Sequence, residues 1–193
     1  MLDPKWQTQW SVTRVLNASG LYGDLRFVPA EALRRGTIIH EATAQWDQGM
    51  GPARLAPDYN GWYEAYKRWC REMSPDFTHI EHAFDRVTPD GGFHGIVDRV
   101  IHPLGGTHAD HDRVVLDIKT GPPKASDPIQ TAAYTIGLFP QSWKRCKRAC
   151  LYIRQDGTYR LRAYTDPHDF LTWRSLLENA LEEHNGNHHP DRS

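Results

Sequence analysis

The sequence predicts an α/β fold: one domain in which a mixed β-sheet lies between helices. Three observations predict it. The hydrophobic spacing runs in threes and fours from Pro29 to Met73, alternates from Thr78 to Lys119, and then returns to helical spacing. Three strand-like runs follow one another across short turns, which favours an antiparallel meander. A helix and then a hairpin come after that meander, so the added strands extend the sheet and the helices cover its faces.

Ser11 to Leu16 opens the chain as a short helix or turn, followed by Ser19-Gly20-Leu21-Tyr22-Gly23, to which the residues assign no chemistry. Pro29 suits a first helical position with Glu31 in the first turn, and the helix runs to about Gln48 despite Gly36. Leu33, Thr37, His40 and Ala44 fall on one stripe, so His40 is expected to look inward, with Arg34, Arg35 and Glu41 on a solvated face. A lone histidine on such a stripe is more often a satisfied core residue than a ligand. Gly49 to Pro57 forms a linker, and Asp58 caps a second helix whose stripe is Tyr59, Trp62, Tyr66, Trp69 and Met73. Core packing is the commoner use of such an aromatic stripe.

The strands are expected at Thr78 to Val87, Phe93 to Ile101 and Arg113 to Lys119, joined by turns at Pro89-Asp90-Gly91-Gly92 and Gly105-Gly106. The loop His108-Ala109-Asp110-His111-Asp112 has metal-ligand residue types, but its spacing fits no recognised site and it reads as solvated. Asp127 caps a helix starting at Pro128, with Gln130 and Tyr134 on one face and Ile129, Ala133 and Ile136 beside them. Ala149 to Gln155 and Thr158 to Thr165 form a hairpin across Asp156-Gly157. Asp166-Pro167 starts a last amphipathic helix, with Phe170, Trp173, Leu177 and Leu181 inward and Gly186 as its stop. Residues 187–193 read as a loose tail.

The totals set bounds. With 193 residues, 39% hydrophobic and 24% charged, the chain has the size of one ordinary globular domain, and no apolar run reaches the length of a membrane span. The start Met1-Leu2-Asp3-Pro4-Lys5-Trp6 lacks the apolar core of a signal peptide, so an intracellular, cytoplasmic location is expected. Cys70, Cys146 and Cys150 make an odd set without a C-x-x-C pair, which argues for reduced thiols and against a disulfide framework. A net charge of -1 neither advertises nor excludes nucleic-acid binding.

One stretch concentrates chemistry. In Val114-Val115-Leu116-Asp117-Ile118-Lys119-Thr120-Gly121, strand alternation sends Asp117 and Lys119 to one face and Leu116 and Ile118 to the other. Gly95-Ile96-Val97-Asp98-Arg99-Val100-Ile101 repeats the pattern with Asp98. Two carboxylates side by side at a sheet resist ionising together, and a hard divalent cation relieves that repulsion. D-x-K by itself more often means a surface ion pair on an edge strand.

Arg35-Gly36-x-x-x-His40, Glu81, Gly95-Ile96-Val97-Asp98-Arg99, Asp117-Ile118-Lys119-Thr120-Gly121 and Gln130-x-x-x-Tyr134 together resemble the motifs of the PD-(D/E)XK nuclease superfamily, in its RecB-type branch. The resemblance covers about Arg35 to Tyr134 and implies a restriction-endonuclease-like core, over about residues 29–165, within a single domain of residues 1–193. It implies metal ligation by Asp98, Asp117, the Ile118 carbonyl and His40, and a catalytic Lys119 supported by Gln130 and Tyr134. Glu81 matches an acidic position that is sometimes an outer ligand. The implied activity is a Mg²⁺- or Mn²⁺-dependent deoxyribonuclease, as a stand-alone exonuclease of phages or mobile elements acting in recombination, which would place it in the host cytoplasm. An imidazole ligand tilts the preference towards Mn²⁺. An endonuclease for branched or foreign DNA, and a non-catalytic DNA-binding or assembly module, are the alternatives.

Some relatives carry four cysteines on an iron-sulfur cluster, which three scattered cysteines cannot hold. The sequence has no P-loop, so processivity would come from a homo-oligomer or a recombination partner protein. DNA contact is expected at Lys144, Arg145, Lys147 and Arg148, with Lys124 beside the site, because phosphate neutralisation is the main sequence-independent source of affinity.

Overall fold

The structure, a computed structural model, describes residues 10–23, 28–88, 91–102 and 113–186. The Met1-to-Trp6 segment, the turn residues Pro89 and Asp90, the Gly105-Gly106 turn, the His108-to-Asp112 loop and the 187–193 tail lie outside them. The elements are β1 (Trp10–Ser11), α1 (Val12–Ala18), α2 (Ala30–Asp47), α3 (Asn60–Met73), β2 (Phe77–Thr88), β3 (Gly91–Ile101), β4 (Arg113–Lys119), α4 (Ser126–Leu138), β5 (Cys146–Ile153), β6 (Tyr159–Tyr164) and α5 (His168–Gly186). Among the described residues the strands make one mixed sheet of six, in the order β1-β3-β4-β5-β6, with β2 also paired to β3. Helices flank it, so the α/β class and the mixed central sheet are as expected.

The meander β2–β3–β4 is antiparallel, β4 and β5 run parallel with α4 between them in sequence, and β5–β6 is the hairpin. Gly157 turns that hairpin with φ +77, while the Asp156 carboxylate accepts the Thr158 N–H at 2.9 Å. β1 was not expected. It pairs Trp10 and Ser11 with Phe93 and His94, and two residues are too few to show an alternation.

Alternation along β4 divides the core. Val115 packs with Phe93, Val97, Ile129, Ala133 and Trp173 under α1, α4 and α5. Leu116 and Ile118 pack with Ile39, Tyr66, Trp69 and Leu151 under α2 and α3. Asp117 and Lys119 therefore share the α4 side of the sheet, while Arg99, paired to Leu116, falls in the α2–α3 layer.

Several helix readings shift. In α2 the buried residues are Ile39, Ala42, Thr43 and Ala44, and Leu33 is 53% exposed. Of the stripe expected to pack inward, Ala44 is buried, while Leu33 and His40 line one cleft and Thr37 and His40 another. In α3, Tyr63, Ala65, Tyr66 and Trp69 are buried, but Trp62 is half-buried and Met73 exposed. Helix α4 starts at Ser126, and Asp127 sits within its first turn, accepting the Lys124 N–H at 2.8 Å. α5 is held as expected by Trp173 and Leu177, with the Asp166 side chain accepting the His168 N–H at 2.9 Å.

Two glycines set distances between layers. A Cβ on Gly61 would lie 1.7 Å from the Gln155 carbonyl oxygen, so only glycine lets the start of α3 rest on the β5–β6 turn. A Cβ on Gly137 would lie 2.1 Å from the Phe84 ring, which fixes α4 against β2.

Candidate active site

Pairing of β3 with β4 is seen at Ile101–Val114, Val100–Val115 and Arg99–Leu116. Beyond it, the Asp98 carboxylate accepts the Ile118 N–H at 2.6 Å, so a side chain satisfies a buried backbone donor where the ladder ends. A cleft of about 480 Å³ opens there, with His40, Asp98, Asp117, Ile118, Lys119 and Gln130 among its lining.

His40 reaches into this cleft from α2. Its Nε2 lies 3.0 Å from the Ile118 carbonyl oxygen, and its Nδ1 lies 3.2 Å from Asp98 Oδ1 and 3.9 Å from Glu81 Oε1. With acceptors at both ring nitrogens, the ring is held as an imidazolium. Burial opposes that charge, but the carboxylates of Asp98, Glu81 and Asp117 outweigh it and push the His40 pKa up to about 9.

The donor set suits a divalent cation. One ligand atom each from His40, Glu81 and Asp98 lies within 4.8 Å of the others, and the Ile118 carbonyl borders the same imidazole. Glu81 is one of the three. It sits in β2 at φ +45, a left-handed conformation that an L-residue adopts only under constraint. Its constraint is Arg99, whose Nη1 donates to Glu81 Oε1 at 2.8 Å.

Arg99 is 0% exposed and spends its other donors on Asp47 Oδ2 at 2.5 Å, Thr43 Oγ1 at 3.1 Å and the Asp98 carbonyl at 2.6 Å. Tyr66 also donates to Asp47 Oδ2 at 2.5 Å. Sequence reasoning passed over Asp47 and gave Arg99 no separate part. The available signals were an arginine on the apolar face of a strand, and Thr43 and Asp47 one helical turn apart.

Asp117 is placed differently from Asp98. It is 2% exposed, and its Oδ2 takes the Lys119 ammonium at 2.6 Å and the Cys150 thiol at 3.5 Å. Burial pushes the Asp117 pKa up to about 6 against the pull of Lys119, with the Asp98 charge adding to the rise. Asp98 moves the other way: burial would raise it, but His40 and the Ile118 N–H hold it below the usual carboxylate range. Two neighbouring acids thus have separated affinities for protons.

The Lys119 ammonium is also well raised; burial opposes the charge and Asp117 outweighs it. Lys119 donates to Gln130 Oε1 at 2.8 Å, and Gln130 Nε2 donates to the Tyr134 hydroxyl at 2.7 Å. Asp127, read from the sequence as a cap alone, is buried 4.0 Å from that ammonium and accepts the Tyr152 hydroxyl at 2.6 Å.

The expected DNA contacts divide. Lys124 borders the cleft with its Nζ 4.6 Å from the Tyr22 ring centroid, which gives Tyr22 a place at the site. Arg148 is 3% exposed and donates to Asp169 at 2.8 Å and to the Pro128 and Asp166 carbonyls, so it ties β5 to α4 and α5. Lys144, Arg145 and Lys147 are exposed, but Lys147 pairs with Val114 at the start of β4. That register puts it five residues, or roughly 16 Å, along the strand from Lys119. The cluster sits at the opposite end of the sheet from the cleft.

No family model matches the sequence, and no curated protein matches it. Among solved structures, the fold is similar to that of a crystal structure named "Putative exonuclease" from Eubacterium rectale, with a TM-score of 0.59 and 13% identity over 100% of this chain and 90% of that one. At that identity the likeness is one of fold. The crystal structure of SSO0001 aligns with a TM-score of 0.42 and 17% identity over 89% of this chain and 86% of that one, too weak a likeness to support an argument.

Proposed function

We propose that this chain is a single-domain, divalent-metal-dependent nuclease of the RecB-type PD-(D/E)XK class that hydrolyses phosphodiester bonds in DNA. One observation carries the reading: a lysine held by an acid and an amide opens onto the same cleft as His40 and Asp98, and Glu81 offers a ligand atom within 4.8 Å of both. The fold shared with a protein named as an exonuclease supports it.

His40, Asp98 and Glu81 would hold the cation, with Asp117 and the Ile118 carbonyl beside them. Bound there, a divalent ion neutralises phosphate charge and lowers the pKa of a coordinated water. The chain's own residues supply the rest. Asp117 and Gln130 fix the Lys119 ammonium from two sides, so it meets negative charge developing on the phosphate without reorganising. The Lys119 ammonium can only donate, so it sets the Gln130 amide with its oxygen inward, and the amide nitrogen then donates to the Tyr134 hydroxyl.

Lys119→Ala is expected to reduce DNA cleavage in Mn²⁺ by at least ~100-fold, the scale of one lost transition-state donor. Its DNA affinity should stay within about threefold of wild type. Cleavage that survives in Lys119→Ala, or that persists in EDTA, is incompatible with the reading. The ion is expected to be Mn²⁺ or Mg²⁺, with Ca²⁺ failing to support turnover.

A further inference from the structure

Beside the cleft lies a second cavity of about 470 Å³ that shares Arg35, Thr120, Gly121 and Pro122 with it. The rest of its wall includes Trp62, Arg154 and Arg160 and no acidic residue. We propose that this cavity is a phosphate subsite that binds the backbone of a single nucleic-acid strand next to the bond being cut. The proposal rests on the nuclease reading above and specifies how that site holds its substrate.

Four observations carry it. Arg35 is the charged residue common to both cavities, and its Nε is buried with no hydrogen-bond partner. Its guanidinium carbon lies 4.8 Å from the Trp62 ring centroid, a stacking contact that orients the group without neutralising it. A buried guanidinium donor without an acceptor is costly, and a phosphate oxygen would remove that cost.

Arg154 and Arg160 are exposed and make no side-chain hydrogen bond or ion pair to any described residue. Most other buried or cleft-facing cations already have an acid: Lys119 has Asp117, Arg99 has Asp47 and Glu81, Arg148 has Asp169. Asp156 feels the charge of Arg154 from outside the cavity, but three arginines on a wall that no acid lines leave a local positive potential in a chain of net charge -1.

The register supplies the spacing. Lys119 pairs with Tyr152, and Tyr152 pairs with Arg160, so the catalytic lysine and Arg160 stand in one row across three strands. Two inter-strand steps make about 10 Å between their backbones. The floor between is open: a Cβ added at Gly121 would meet no atom within 4 Å. Closure of the hairpin onto α3 at Gly61 then holds Arg154 and Arg160 across from Trp62.

The test is binding of a fluorescein-labelled 20-nucleotide single strand in EDTA, which separates affinity from turnover. The Arg154→Ala/Arg160→Ala pair is expected to weaken binding at least tenfold at low salt. It should also flatten the slope of log affinity against log salt by about 1.4, the value for two lost phosphate contacts on a single strand. Lys144→Ala/Lys147→Ala, at the far end of the sheet, should leave both quantities within twofold of wild type. Three results overturn the subsite and spare the nuclease reading, provided the wild type cuts DNA with Mn²⁺: an unaffected arginine pair, an equal loss in the lysine pair, or no wild-type binding in EDTA. A wild type that neither binds nor cuts any strand overturns both.

Discussion

His40 is the residue whose state depends most on the acids around it. In the metal-free protein its pKa is raised to about 9, so its proton stabilises the fold fully below the unfolded value near 6.5 and less as pH rises through 9. A cation must displace that proton. Metal-free stability should therefore fall between pH 6.5 and 9, while Mn²⁺ affinity climbs by up to about tenfold per pH unit over the same range. Thermal melts with and without Mn²⁺ check both signs. At ~100 times the dissociation constant, the ion adds about 2.7 kcal/mol to wild type. His40→Ala should lose most of that gain, and an equal metal shift in His40→Ala would remove the imidazole from the site.

Arg99 is the other residue with a disproportionate effect, because it connects Glu81 in its left-handed conformation to Asp47 on α2. Arg99→Met strands two carboxylates and is expected to destabilise the protein by about 3–5 kcal/mol. Lysine cannot replace the planar fork that reaches both acids, so Arg99→Lys should recover only part of the loss. Denaturation midpoints at fixed pH measure each.

The elements contribute by where they end and what they rest on. β4 delivers Asp117 and Lys119 to one face simply by being extended, and α4 meets them with Gln130 because Asp127 in its first turn accepts the Tyr152 hydroxyl of β5. α3 meets the β5–β6 turn at Gly61, and there the fit is backbone against backbone. A methyl at that position cannot be absorbed by a side-chain rotation. Gly61→Ala should cost about 3 kcal/mol, at the upper end for overpacking, and lower the melting temperature by roughly 6–12 °C. An unchanged melting temperature would show that the helix start can slide.

At the scale of the molecule, the candidate site lies at one end of the central strands β4 and β5 and the exposed basic cluster at the other. The cleft, Lys124 and the arginine wall lie at the end of β4, whereas Lys144, Arg145 and Lys147 lie by its start. No helix among the described residues is long and apolar enough to cross a membrane. Both cavities open to the surface, and an exonuclease is distinguished from an endonuclease by the topology of the substrate it accepts. Linear DNA should be degraded with Mn²⁺ while a closed circle stays intact over the same hour. Nicking or linearising the circle would favour the endonuclease reading.

The sequence by itself determined the main elements, β1 apart, and the alternation within the strands. The strand at Arg113–Lys119, the Asp156-Gly157 turn and the pairing of Gln130 with Tyr134 on one helix face depend on neighbours a few residues away, and all were legible. Tertiary structure decided the partners. It turned His40 to a cleft, buried Arg148 against Asp169, left Arg154 and Arg160 without an ion pair among the described residues, and directed Asp117 to Lys119 while Glu81 joined His40 and Asp98. Periodicity is a property of consecutive residues, whereas His40 meets Ile118 across 78 positions and Arg99 meets Asp47 across 52. Which charges find a counterion depends on contacts at that separation, and local spacing does not contain them.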